Sequence, residues 1–312
     1  MDYDLGPEHE LIRETVRAFA LERVAPVAEE LDREARFPYE IVAGLAELGL
    51  MGVPIPEEHG GAGGDTLSYA ITVEELTRID SSVGATVAAH TSLGTMPILL
   101  FGTDEQKARW LEPLARGELR SCFSMTEPEN PGSNPTMMST RADKDGDSYV
   151  INGHKWFTSS ADGAAFAIVM AVTNPEAPAH NRASMIIVPT DAPGFELTRN
   201  IKLAGEAGSG WPSPAEIWYR DVRVPLANRL GLEDAAVTMF GRAPRQGRRL
   251  AILYCDLDGF KAVNDTYGHD IGDRALRIFA GVLRASVRPD DIVSRYGGEE
   301  FVVVLPRCDA TE

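Results

Sequence analysis

Cysteine is scarce in this 312-residue chain: Cys122, Cys255 and Cys308 are widely separated and form no CxxC pair. That pattern argues against a disulfide framework or a zinc site and fits reduced thiols in a cytoplasmic protein. Basic residues are in deficit, 30 against 47 acidic, and the formal charge of −17 repels nucleic-acid backbones and anionic membranes. Uninterrupted apolar runs stay well short of the ~20 residues that cross a bilayer, so no membrane span is expected. The opening MDYDLGPEHEL has neither a basic end nor an apolar signal segment, and export is not expected.

What is present divides the chain. At ~100–200 residues per domain, its length predicts two or three units. Residues 1–120 read as helices: Ile12, Val16, Phe19 and Ala20 share one face. Ile41, Leu45 and Leu48 recur at one-turn spacing, with Gly49 placed to end that helix, and Thr103 to Gln106 spells a capping box. VPIPEEHGGAGGD is a loop. From residue 121 to 232 the period changes to that of strands, with Asp145-Gly146 and Asn152-Gly153 as turn dipeptides, which predicts a β-barrel or sandwich. Residues 233–249 form a junction with a basic run. Over 250–312, LAILYCDLDGF reads as a buried strand, DIGDRALRIFAGVLRASV as an amphipathic helix and SRYGGEEFVVVLP as a hairpin, an α/β unit.

Taken singly, a Trp beside Thr and Ser in a strand is more often core than cofactor platform. Taken together, MTEPENPGSN, YVINGHKWFTSSAD, IIVPTDAPGFE and AEIWYRDVRVP, following a helical unit, resemble the acyl-CoA dehydrogenase family over residues 5–232. The resemblance implies an FAD enzyme that removes hydrogens from the α and β carbons of an acyl-CoA, with an electron-transfer acceptor as partner. A flavin needs a flat apolar wall and hydrogen-bond donors at its electron-accepting edge. By resemblance Trp156 and Thr158 form that wall, Met125 and Thr126 bond the ring, and Phe123, Ser124 and Phe157 flank them. Ser133 matches the serine beside the phosphates or thioester ligand. The loop is one residue longer than the usual form, with Asn134 where aspartate is common. The family's catalytic glutamate belongs to a C-terminal helical domain, and another sequence follows NRLGLEDAAV, so no residue is assigned as the base.

A lone Gly-Gly is more often a hairpin turn than a ligand loop. Here CDLDGFKAVNDTYGHDIGD, a helix, RPDD and GGEEF resemble about half of a GGDEF diguanylate cyclase domain, which makes cyclic di-GMP from GTP. By resemblance Asp256, Glu299 and the Leu257 carbonyl hold Mg²⁺, hard oxygen ligands suited to a metal on a triphosphate. Gly297 and Gly298 let the backbone approach the nucleotide, Asn264 and Asp273 read guanine, and Lys261 is either a phosphate contact or a solvated lysine. Arg288 and Asp291 match an inhibitory product site, with a surface salt bridge as the competing reading. The chain therefore reads as multidomain: an all-α N-terminal domain, a β middle domain and a truncated α/β unit. Its function reads as an acyl-CoA dehydrogenase-like oxidoreductase fused to a partial cyclase. The alternatives are a GTP- or cyclic di-GMP-binding signalling module, or a junction of two incomplete genes. The two resemblances imply a homo-oligomer, the state expected of the parent families.

Overall fold

The computed structural model describes residues 5–130, 134–201, 214–231, 250–257, 260–288, 291–295 and 300–306. Two compact units emerge, Met1–Gly231 and Leu232–Glu312.

The first unit begins with helices α1 (Pro7–Phe19), α2 (Ala28–Glu34), α3 (Tyr39–Glu47), α4 (Thr66–Thr77), α5 (Ser81–Ala89), α6 (Met96–Phe101), α7 (Asp104–Gln106) and α8 (Glu112–Ala115). Most of the periodic residues anticipated for α1 and α3 enter one core, in which Val16, Phe19, Ile41 and Leu45 meet Leu76, Val83 and Val87, but Leu48, at the C-terminal cap of α3, is exposed. Gly49 follows α3 at φ +72°, the left-handed conformation that glycine adopts without strain. The capping box is formed: Thr103 Oγ1 accepts from the Gln106 amide at 3.2 Å, and Gln106 Oε1 accepts from the Thr103 amide at 2.9 Å. Gln106 Nε2 also donates to the carbonyl of Ala227 at 2.7 Å, tying the helices to the strands.

Ser81–Phe101 is continuous helix of 21 residues with mean hydropathy 1.3, long and apolar enough to cross a membrane. Its apolar sequence is interrupted by His90, Thr91 and Ser92, so it contains no uninterrupted apolar run of that length. Half of its apolar window is buried in the fold.

Strands β1 (Ser121–Ser124), β2 (Arg141–Asp145), β3 (Ser148–Ser159), β4 (Phe166–Val172), β5 (Ala183–Pro189), β6 (Phe195–Asn200), β7 (Pro214–Pro225) and β8 (Arg229–Leu230) form one sheet among the described residues. Its order is β6-β7-β3-β2-β4-β5-β8, with β1 parallel to β4. Strand β4 explains its own unbroken apolar sequence. Ala167, Val169 and Ala171 enter the core enclosed by the sheet, while Phe166 and Ile168 pack with Ile55, Ile98, Leu111 and Leu114 of the helical half. The helical and β parts thus share a core and form one compact unit.

Asp145-Gly146 makes the expected turn between β2 and β3, with Gly146 at φ +60°. Asn152-Gly153 does not. It lies within β3 at a register shift, where Arg220 and Asp221 of β7 oppose the single residue Asn152. Two bonds close that bulge: Asn152 Nδ2 donates to Asp221 Oδ1 at 3.0 Å, and the Asp221 amide donates to Asn152 Oδ1 at 2.9 Å. Gly153 is required for a different reason, since a Cβ there would collide with the Thr140 side chain.

The second unit has β9 (Leu250–Asp256), α9 (Phe260–Tyr267), α10 (His269–Ala285), β10 (Ile292–Arg295) and β11 (Glu300–Pro306). The strands form an antiparallel sheet in the order β10-β11-β9, so the expected strand, helix and hairpin are all present. Phe260, Leu276 and Phe301 form its core.

Candidate functional site

The flavin-type residues gather at one end of β3. Lys155 pairs with Ile217 and Thr158 with Ala215, so Trp156 and Phe157 together oppose only Glu216. This is a β-bulge, and Phe157 within it is held at φ +51°. Positive φ for a bulky side chain costs of order 1–3 kcal/mol and persists only where the surroundings impose it. Phe157 is nevertheless 40% exposed, with its ring 4.5 Å from that of half-buried Trp156.

The bulge also resets which side chains face outward. Simple alternation from buried Lys155 would turn Thr158 outward with Trp156. The extra residue reverses that parity: Thr158 is buried, Phe157 and Ser159 are exposed. Thr158 Oγ1 lies 3.2 Å from Ser124 Oγ inside the sheet, and the Tyr219 hydroxyl donates to Ser124 Oγ at 3.0 Å. Trp156 and Phe157 therefore share a surface that Thr158 and Ser124 do not. The exposed hydroxyl at this end of β3 is that of Ser159, a consequence of the bulge.

The β1 end lies alongside. Phe123 is half-buried against the helix-facing core. Met125 and Thr126 follow, half-buried, and the Thr126 carbonyl accepts the Trp156 amide at 3.0 Å. Beneath them sits a buried ion pair, Lys155 Nζ to Glu127 Oε1 at 3.0 Å. Burial pushes the Lys155 ammonium down to about 8, against the pull of Glu127. Burial raises Glu127, but hydrogen bonds from Thr140 and Ser139 and the Lys155 charge outweigh it and hold the carboxyl at about 2. Both groups are ionised at neutral pH. Cys122, pushed up to about 12 by burial, is an inert thiol. Ser133 lies outside the described residues. Asn134 caps the short turn after it, Oδ1 accepting from the Thr136 amide at 3.1 Å.

In the second unit, Asp256 ends β9 and pairs with Glu300. Glu299, Gly297 and Gly298 lie outside the described residues, as does the Lys261 side chain. Leu257 is half-buried. The Asn264 amide oxygen of α9 fills the space a Cβ on Gly272 of α10 would need, one residue before exposed Asp273. Asp291 is buried and does not reach the Arg288 side chain with its carboxylate. Its Oδ2 accepts the Arg288 backbone amide at 2.8 Å, while Arg288 is exposed. A cleft of about 330 Å³ opens between α10 and the sheet, lined by Asp273, Leu276, Arg277, Ala280, Val293 and Phe301. Among the described residues there is no cluster of three metal-ligating side chains.

Residues 6–118 match the acyl-CoA dehydrogenase N-terminal domain and residues 122–213 the acyl-CoA dehydrogenase middle domain. Residues 219–312 match the diguanylate cyclase GGDEF domain, a match that begins inside β7, which belongs to the first unit. The chain is 46% identical over 231 residues to a Bacillus subtilis protein described as probable acyl-CoA dehydrogenase YngJ, covering 74% of this chain and 60% of that protein. It superposes on butyryl-CoA dehydrogenase from Megasphaera elsdenii at TM-score 0.67 and 31% identity, over 77% of this chain and 64% of that one. It also superposes on the FAD complex of PigA at TM-score 0.69 and 26% identity, over 78% and 63%. The chain spans about 60% of the length of the curated relatives it matches.

Proposed function

We propose, from the premise that residues 6–118 and 122–213 carry acyl-CoA dehydrogenase N-terminal and middle domains, that this chain holds FAD and acts on an acyl-CoA thioester. The observation that carries the reading is Phe157, an aromatic side chain kept exposed at a strained backbone position beside Trp156. Exposed strain of this kind is a mark of a ligand surface. The residues fit the cofactor. Trp156 and Phe157 offer apolar ring area, Ser159 offers an outward hydroxyl, and the 125–126 backbone lies against Trp156. Bound FAD would supply the oxidising ring that accepts the two hydrogens lost from the thioester. The chain's part is to seat one face of that ring, keep water from it and direct the Ser159 hydroxyl to its edge. Residues 5–231 hold no side chain that we assign as the α-proton base, and an electron-accepting protein partner completes the reading.

The test is the visible spectrum of the purified full chain, before and after acyl-CoA is added. Bound flavin is expected, and its bleaching by acyl-CoA would establish dehydrogenation. A colourless protein that stays so after incubation with FAD would overturn the reading.

The GGDEF match supports a second reading for residues 250–312, a GTP or cyclic di-GMP site with Mg²⁺ on Asp256, the Leu257 carbonyl and Glu299. Its guanine end would use Asn264, whose side chain lies against Gly272, and the adjacent Asp273. Calorimetric titration with GTP and Mg²⁺ tests it; weak binding without cyclisation is expected, and cyclic di-GMP synthesis would contradict the absence of cyclisation.

A further inference from the structure

Lys155 and Glu127 do more than neutralise each other. Lys155 Nζ donates to the Met125 carbonyl at 2.7 Å as well as to Glu127. Glu127 in turn accepts the backbone amides of Ser139 at 2.6 Å and Thr140 at 2.8 Å, and the Asn130 side-chain amide at 2.7 Å. Asn130 also donates to Ser139 Oγ at 2.8 Å. One carboxylate thus joins the start of the β1–β2 connection, at residue 127, to its end, at residues 139–140. One ammonium then ties that closure to β3, next to the bulge that bears Trp156 and Phe157.

Such a pair is a poor device for stability alone, because taking two charges out of water offsets most of their attraction. Its bonds to backbone groups at residue 125 and at residues 139–140 make it a device for geometry. We propose that the Lys155–Glu127 pair is a positioning latch: it closes the 127–140 loop and sets the 125–126 backbone at a fixed height against the Trp156–Phe157 surface. The cofactor half of this inference rests on the flavin reading above.

The test uses the full chain carrying Lys155→Met together with Glu127→Gln. This double variant removes the latch without leaving either ion buried and unpaired. Apo protein should melt within about 3 °C of wild type. Amide hydrogen exchange over residues 125–140 should quicken about tenfold, with β4, β5 and the helices unchanged. The FAD dissociation constant, followed by flavin fluorescence, should rise about tenfold, the equivalent of one charge-assisted hydrogen bond. Unchanged exchange over residues 125–140 overturns the latch. Quickened exchange with unchanged FAD affinity overturns its role in shaping the cofactor surface, and loss of cooperative melting assigns the pair to global stability and overturns the proposal. Wild-type protein that takes up no FAD defeats the flavin reading instead, and the exchange comparison still decides whether the pair closes the loop.

Discussion

Phe157 is where a single side chain decides most. Replacing it with Ala removes the exposed ring at the bulge while leaving the buried faces of β3 untouched. We expect FAD affinity to fall about tenfold, by flavin titration, with the melting temperature of the apo protein little changed. Thr158→Val should act the other way round. Its hydroxyl faces Ser124 within the sheet, so the loss of about 1 kcal/mol belongs to folding stability, read by urea unfolding, and not to flavin binding. Glu127 adds a pH dependence. Its carboxyl is held at about 2 in the fold against 4.5 for the ordinary group, so the unfolded chain takes up the proton first as pH falls. Its stabilisation is complete above pH 4.5 and is lost as pH falls toward 2, and acid unfolding of Glu127→Gln should lack that component. At this scale the residue types were legible: aromatic, hydroxyl and carboxylate stood in a motif. Which of Thr158 and Ser159 faces outward was not, because one extra residue in a bulge inverts the parity and leaves no mark in the composition of the strand.

Among the elements, helices and the second unit's strand–helix–hairpin order followed from periodicity, since apolar residues spaced at 3.6 over several turns line up on one side only when the backbone is helical. The misread element was Asn152-Gly153. The same dipeptide that closes hairpins here sits inside β3, where a close approach by Thr140, and not a turn, demands glycine. Gly153→Val should therefore destabilise the first unit by about 1–3 kcal/mol in thermal unfolding, because Thr140 is buried and has nowhere to move. A substitution at Gly146, whose Cβ position is open, should cost only the backbone strain of its positive φ. In RPDD, Asp291 Oδ2 accepts the Arg288 amide, a local turn contact that the spacing alone does not announce.

For the molecule as a whole, the chain divides into compact units at Gly231, and the residues on either side supply different apolar clusters. A chain ending at Gly231 should keep the flavin uptake of the full protein, checked by its visible spectrum. The boundary expected near residue 120 is of another kind. Composition and period change there, but β4 contributes alternate side chains to both the sheet interior and the helical half, and no sequence period announces which faces will be shared. A protease that nicked the backbone at Arg120 should consequently release no stable fragment: the pieces should stay associated under native conditions, and calorimetry of the uncut residues 1–231 should show one endotherm, its van't Hoff and calorimetric enthalpies equal.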